Sequence, residues 1–164
     1  MSESNGGAVV PAYDLLLVTC LDSHPDTPLV RNERRLKEVG ELDEVLTRLD
    51  ALAFSVLLLT RVLGDGAEEC DDGSFRLSLA ADRAYIHLCD GGCSMARDPA
   101  REAETEATTQ VMLDNGELIE VPHKNTVRYD DGVAAIRYWM AHGKQLPRVD
   151  WGTGKPVAAG GRVE

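Results

Sequence analysis

The chain has 164 residues, of which 43% are hydrophobic and 27% are charged, a mixture typical of a single globular domain and not of a disordered chain. Asp and Glu number 28 against 17 Lys and Arg, which gives a formal net charge of −11. Nucleic acids and anionic membranes repel so acidic a protein, so we exclude both as partners and expect a basic protein partner instead.

From the first residues of the chain we expect no secretory signal. No basic region followed by an apolar run marks the start, and no stretch approaches 18 consecutive apolar residues. We therefore expect a cytoplasmic protein without a membrane span, whose four cysteines are reduced thiols. Small residues dominate 1–11 and 152–164, which we predict to be flexible tails around one domain over 12–151.

The first part of the chain alternates between apolar runs and breaks. An apolar run predicts a buried strand over 13–21, whereas the basic residues of 31–37 are typical of a solvated segment. Four apolar residues at i, i+3, i+4 and i+7 predict a helix over 39–52, and a Val- and Leu-rich run predicts a strand over 54–63. The helical stripe consists of Leu42, Val45, Leu46 and Leu49.

The middle of the chain has the two-residue alternation of half-buried strands. Such strands are predicted near 75–79 and 85–88, while the charged residues 95–106 predict a solvated loop. The strongest hairpin signal is Asn115-Gly116, because this dipeptide tolerates the positive φ angles of a two-residue turn between strands within 108–121.

A second helix and a last strand close the predicted domain. The helix begins near Asp130 or Asp131, either of which is a suitable N-cap, and Gly143 is suited to end it. A short strand is predicted over 148–151. The order β-α-β-β-β-β-β-α-β predicts an α+β fold, in which two main helices pack on one face of an antiparallel sheet.

The cysteines offer the best candidates for chemistry. Cys89 and Cys93, with His87 and Cys70, have the ligand types that hold zinc, but their C-x3-C spacing has no second matching pair. Acidic neighbours surround Cys70 and disfavour the thiolate that a nucleophile needs. We therefore predict no metal, no other cofactor and no enzymatic activity.

Two acidic stretches are the clearest candidates for binding a basic partner. Carboxylates on loops form charge-assisted hydrogen bonds with Arg and Lys and speed association, although such stretches are also common as plain solvated loops. The first stretch comprises Asp65, Glu68, Glu69, Asp71 and Asp72, and the second comprises Asp98, Glu102, Glu104 and Glu106.

The last third of the chain has a recognisable pattern. Val121-Pro122 precedes the helical segment 130–140, and Gly143, Pro147 and Trp151 follow it at fixed spacing. With the helix and strand of 41–63, this pattern resembles the Imm-one type immunity proteins, the cognate inhibitors of bacterial polymorphic toxin systems. The similarity covers roughly residues 39–151.

This resemblance implies a function and a partner. The partner is then a toxin, often a nucleic-acid deaminase, and the two acidic stretches are the predicted toxin-binding residues. Gly143, Pro147 and Trp151 are expected to hold the final helix and strand in place without touching the toxin. Two alternatives stay open: a non-catalytic secretion adaptor or interaction module, and a small thiol or zinc protein that uses Cys70, His87, Cys89 and Cys93.

Overall fold

The computed structural model describes residues 12–20, 30–49, 54–62, 73–80, 82–90, 92–98 and 107–153. Within these ranges the chain forms β1 (Ala12–Cys20), β2 (Val30–Leu36), α1 (Val39–Thr47), β3 (Phe54–Val62), β4 (Ser74–Ala80), β5 (Arg83–Cys89), β6 (Cys93–Arg97), β7 (Thr108–Met112), β8 (Leu118–Pro122), a 3-10 turn (His123–Asn125), β9 (Val127–Arg128), α2 (Tyr129–His142) and β10 (Asp150–Thr153).

The strands form one large antiparallel sheet and a separate hairpin. The eight strands of the sheet follow the order β10-β6-β5-β4-β3-β1-β2, with β9 paired to the start of β5. Strands β7 and β8 pair only with each other among the described residues. The predicted α+β fold with an antiparallel sheet is confirmed.

Both helices pack on one face of this sheet, as predicted. Alternate residues of the central strands, such as Leu57, Leu77 and Ile86, are fully buried against Ile136 and Trp139 of α2. Burial of one large apolar side chain stabilises the fold by about 1.5–3 kcal/mol. The apolar stripe of the helices therefore contributes more than helix propensity to holding the layers together.

The β7–β8 hairpin covers part of the opposite face. Val111 and Ile119 of the hairpin pack on Tyr85, whereas Met112 packs on Val18 and Val56. The contacts lie at the end of the sheet where β1 finishes and β3 begins. Among the described residues, the sheet is thus covered on both faces at this end.

Strands β2 and β6, and the two-residue β9, lie where the sequence predicted no strand. Strand β2 is exposed at every position except Leu36, so it has no apolar alternation, and its backbone pairing with β1 holds it at the sheet edge. Strand β6 occupies the start of the predicted 95–106 loop, because Met95 and Ala96 are buried between its neighbours. The expected loop was wrong at 95–97, whereas the basic residues of β2 are exposed as expected but belong to a strand.

The helix limits and the hairpin turn also differ in detail. Helix α1 ends at Thr47, earlier than the predicted residue 52. The N-cap of α2 is Arg128, and Asp130 and Asp131 lie in the first turn, where their charge interacts favourably with the helix dipole. Neither described helix combines the length and the apolar character needed to span a bilayer.

The hairpin turn has three residues where the sequence predicted two. The N–H of Gly116 donates to the carbonyl of Leu113 at 2.8 Å, and the N–H of Leu113 donates to Glu117 at 2.8 Å. Gly116 has a φ of 89°. This geometry is a turn followed by a one-residue bulge, in which glycine takes the left-handed position.

The segment after α2 contains the three residues of the C-terminal pattern. Gly143 is the C-cap of α2 with a φ of 66°, and its N–H donates to Trp139 at 2.7 Å. Pro147 is exposed. Trp151 is half-buried on β10, and its indole N–H donates to the carbonyl of Leu146 at 3.0 Å.

A prediction follows from the close approach of α2 to the sheet. A methyl group at Gly132 would overlap the Cβ of Ala84 and lie 3.0 Å from Leu77. Overpacking costs about 1–3 kcal/mol, whereas replacing a helical glycine by alanine gains about 1 kcal/mol, so Gly132→Ala is expected to destabilise the protein by about 1–2 kcal/mol. Denaturant unfolding measures this loss. The double variant Gly132→Ala with Ala84→Gly should recover part of it, and equal loss in both variants would contradict the proposed contact.

Candidate functional site

An open groove lies on the sheet face that the hairpin only partly covers. It has a volume of about 750 Å³ and lies at the end of the sheet opposite the hairpin contacts, where β3 ends and β4 begins. Its floor is apolar, with Leu16 and Leu58 directly paired across β1 and β3. The other lining residues are Asp14, Leu15, Glu33, Arg34, Arg35, Thr60, Val62, Gly73, Ser74 and Cys89.

Charged side chains of the edge strand form one rim of the groove. Arg35 donates two hydrogen bonds to the carboxylate of Asp14, at 2.8 and 3.2 Å. These hydrogen bonds and the charge of Asp14 raise the pKa of Arg35. Glu33 and Arg34 complete a rim of mixed sign. These rim residues carry no signal in the sequence, since only strand pairing brings β2 beside β1.

The tip of the hairpin is tied to the same face. Arg76 on β4 forms an ion pair with Asp114 at 3.4 Å, and Arg31 on β2 donates to the backbone carbonyl of Asp114 at 3.3 Å. These contacts join the central sheet and its edge strand to one turn. They position the hairpin so that it stops short of the groove.

Most of the predicted toxin-binding carboxylates lie outside the described residues. These are Asp65, Glu68, Glu69, Asp71 and Asp72 in the first stretch, and Glu102, Glu104 and Glu106 in the second. The first stretch is joined to the sheet at Val62 and Gly73, and both of these residues line the groove.

The second stretch is joined to the opposite end of the sheet. It begins at Asp98, which pairs with Arg83 at the start of β5, whereas Ser74 beside Gly73 pairs with Cys89 at the end of β5. The seven residues of β5 span about 20 Å at 3.3–3.4 Å per residue. The structure therefore does not bring the attachment points of the two acidic stretches together.

Asp98 itself has a partner within the protein. Its carboxylate accepts a hydrogen bond from Arg83 at 3.1 Å, and the side chains of Arg83 and Asp98 are 7% and 20% exposed. Arg83 also donates to the hydroxyl and carbonyl oxygens of Thr126 at 2.8 and 2.9 Å. Asp98 thus balances a buried cation that ties β5 to the segment before β9.

A second charged network lies behind the groove, on the helix side of the sheet. Trp139 is fully buried, and its indole N–H donates to Asp90 at 2.9 Å. Asp90 also accepts two hydrogen bonds from Arg61, at 3.2 and 3.3 Å, and the Arg61 guanidinium lies 4.9 Å from the Trp139 ring. Burial opposes a high pKa for Arg61, but hydrogen bonds and charges from Asp90 and Tyr13 outweigh it and raise that pKa.

The cysteines are arranged differently from the expectation of four reduced thiols. Cys89 and Cys93 form a disulfide between neighbouring positions of β5 and β6, while Cys20 is a buried cysteine outside that disulfide and Cys70 lies outside the described residues. Strand pairing places Cys89 directly opposite Cys93, which the sequence spacing did not reveal. His87 lies on the same face, and the ligand atoms of these three side chains are within 4.8 Å of one another.

Comparison with known proteins identifies a family. The family model described as Immunity protein Imm1 matches residues 31–152, well over half of the chain. This family is the one that the C-terminal pattern resembles. No individual curated protein matches the chain. The matched range runs from the edge strand β2 to the last strand β10 and so includes both helices.

The Arg83–Asp98 pair gives a prediction about stability. Asp98→Ala leaves a buried guanidinium without its carboxylate, so we expect the free energy of unfolding to fall by about 2 kcal/mol. Asp98→Asn retains a hydrogen-bond acceptor and should lose less. Denaturant unfolding of the two variants and the unchanged protein gives the comparison. If Asp98→Ala unfolds at the same denaturant concentration as the unchanged protein, the pair makes no net contribution.

Proposed function

The chain belongs to the Imm1 family of immunity proteins, and we propose that it neutralises a cognate bacterial toxin by binding it. The family match over residues 31–152 is the observation that carries this proposal. Immunity proteins of this kind generally act without catalysis. The proposed mode of action accordingly requires no reactive group on this chain, only a surface complementary to the toxin, and it takes place in the cytoplasm of the cell that makes both proteins.

The charge of the protein supports a particular class of toxin. An enzyme that acts on nucleic acid, such as a deaminase, needs a positive surface to hold the phosphate backbone. A protein with a formal net charge of −11 is attracted to such a surface over long range, which speeds association. We propose that the immunity protein occupies the basic substrate groove of a nucleic-acid-targeting toxin or blocks access to it.

The first acidic stretch is the proposed centre of this contact. Its five carboxylates belong to the segment that connects Val62 to Gly73, two lining residues of the groove. An apolar side chain of the toxin can pack on Leu16 and Leu58 while basic side chains around it meet the carboxylates. This combination of an apolar centre and a charged rim is typical of protein–protein interfaces.

The second acidic stretch is the proposed outer part of the contact. A standard interface buries about 800 Å² on each partner, which corresponds to a patch about 30 Å across. Because β5 separates the attachment points of the two stretches by only about 20 Å, one toxin molecule can reach both. Asp98 takes part less directly than Glu102, Glu104 and Glu106, since it already pairs with Arg83.

The proposal is tested with two sets of charge-neutralising substitutions. Set one changes Glu68 and Glu69 to Gln and Asp71 and Asp72 to Asn; set two changes Glu102, Glu104 and Glu106 to Gln. The toxin used in the assay is the product of the gene adjacent to the one that encodes this protein. Set one should raise Kd for the toxin by at least about tenfold and make the affinity less dependent on salt, because truncation of central charge pairs costs about 2–5 kcal/mol each. Set two should act mainly on the association rate.

A matched control separates local contacts from overall charge. Glu44 on α1 and Asp130 on α2 are exposed on the helix side of the sheet, so neutralising both removes two charges away from the groove. This control should change the affinity little. If neither acidic set alters the affinity or its salt dependence in a folded protein, the acidic-surface mechanism is wrong and the toxin binds elsewhere.

A further inference from the structure

Three side chains that can ligate a soft metal converge on one face of the β5–β6 hairpin. Cys89 and Cys93 lie directly opposite each other on the paired strands. His87 precedes Cys89 by two residues, and residues two apart on a strand project from the same face. Cys89 also lines the groove of the proposed toxin contact, but that contact assigns no role to the three ligand atoms.

We propose that His87, Cys89 and Cys93, with the disulfide reduced, form a binding site for a thiophilic divalent cation such as Zn²⁺. The disulfide and the metal site are then alternative states of the same two sulfur atoms. A thiol reductant supplies two electrons and two protons to open the disulfide and is itself oxidised to a disulfide. The cation replaces the two thiol protons, which pass to the solvent, and binds both thiolates and one imidazole nitrogen.

The distances between the ligand atoms support this assignment. Tetrahedral zinc, with Zn–S near 2.3 Å and Zn–N near 2.0–2.1 Å, holds a sulfur and a nitrogen about 3.6 Å apart and two sulfurs about 3.8 Å apart. The sulfur of Cys89 lies 3.7 Å from Nδ1 of His87 and 4.0 Å from Nε2. One sulfur–nitrogen pair therefore already has the spacing of two ligands on a common metal, and the two sulfurs must separate on reduction.

The surroundings leave the cluster accessible to a cation. His87 is buried at 6% exposure, which holds the imidazole in place, whereas Cys93 is exposed and Cys89 lines the groove. Three protein ligands leave a fourth position that water can fill from the open side. Arg76 faces His87 across the β4–β5 pairing, but Asp114 balances its charge at 3.4 Å.

This inference revises the expectation from sequence that the protein holds no metal. The C-x3-C spacing along the chain offers no second pair of ligands. Antiparallel pairing sets the two cysteines opposite each other, and the two-residue spacing on β5 places His87 in contact with Cys89. The metal site does not depend on the proposed immunity function.

The test uses Co²⁺ as a spectroscopic probe of the full chain, reduced under anaerobic conditions with a phosphine that is then removed. The reduced protein should bind one equivalent of Co²⁺ and show thiolate-to-cobalt charge transfer together with the visible bands of tetrahedral cobalt. Added Zn²⁺ should displace Co²⁺, so that the charge-transfer absorption and the visible cobalt bands both disappear. The oxidised protein should show neither signal, because the disulfide sulfurs are no longer thiolates.

Single substitutions decide which side chains bind the metal. Cys89→Ser and Cys93→Ser should each weaken Co²⁺ binding by at least about tenfold, since even loss of a supporting residue around a metal costs 10–100-fold. Cys70→Ser and Cys20→Ser are matched controls that should retain the spectrum. His87→Gln should weaken binding with the charge-transfer band partly retained; if circular dichroism shows that it is unfolded, the two cysteine variants decide alone.

Three results would overturn the proposal. The first is a reduced, folded protein that gives no cobalt spectrum. The second is a spectrum that persists unchanged in both Cys89→Ser and Cys93→Ser. The third is a spectrum that disappears in Cys70→Ser or Cys20→Ser while the Cys89 and Cys93 variants retain it, because the thiolates would then come from other cysteines.

Discussion

Burial of Trp139 against the sheet joins the two layers of the protein. The indole is fully buried between Tyr13 and Phe75, whose ring centroids lie 5.6 and 5.9 Å away. A buried indole N–H needs a hydrogen-bond acceptor, and Asp90 provides it at 2.9 Å. Arg61 then balances the charge of Asp90. The buried ring of Trp139 thereby holds together an ion pair whose two members lie at the ends of β3 and β5.

The polar part of this network lies at the same end of the sheet as the groove. Arg61 is the last residue but one of β3, and Asp90 directly follows Cys89 at the end of β5. Through Trp139, helix α2 therefore contacts Arg61 and Asp90, which lie at the ends of β3 and β5. The first acidic stretch follows the end of β3, and Cys89 is the last residue of β5. Gly132 serves the same layer contact farther along α2, since only a residue without a side chain lets the helix approach Ala84.

The hairpin covers only part of the second sheet face, and the groove lies on the part that it leaves open. The hairpin β7–β8 buries Val111, Ile119 and Val121 at one end, and Asp114 fixes its tip through Arg76. Beyond that tip the sheet presents a groove with an apolar floor and charged rim. The helix side holds the main hydrophobic core, and the partly covered side holds the groove that we propose as the toxin contact.

The sequence by itself determined the class of the fold, because local patterns report burial on one face. The apolar stripe beginning at Leu42, the alternation at Phe75, Leu77 and Leu79, and the Asn115-Gly116 turn each predicted an element that the structure contains. The C-terminal pattern was enough to indicate the immunity family. Carboxylates 65–72 and 102–106 could be proposed from charge alone, but their arrangement in space could not.

Only the tertiary structure decided which elements are neighbours. Strand β2 has no apolar alternation, so its place at the edge follows from backbone hydrogen bonds to β1 and not from its own side chains. The pairings of Cys89 with Cys93 and of Asp98 with Arg83 likewise depend on how strands align. A sequence pattern records whether a residue is buried, whereas the partner across a strand depends on register, which the whole sheet sets together.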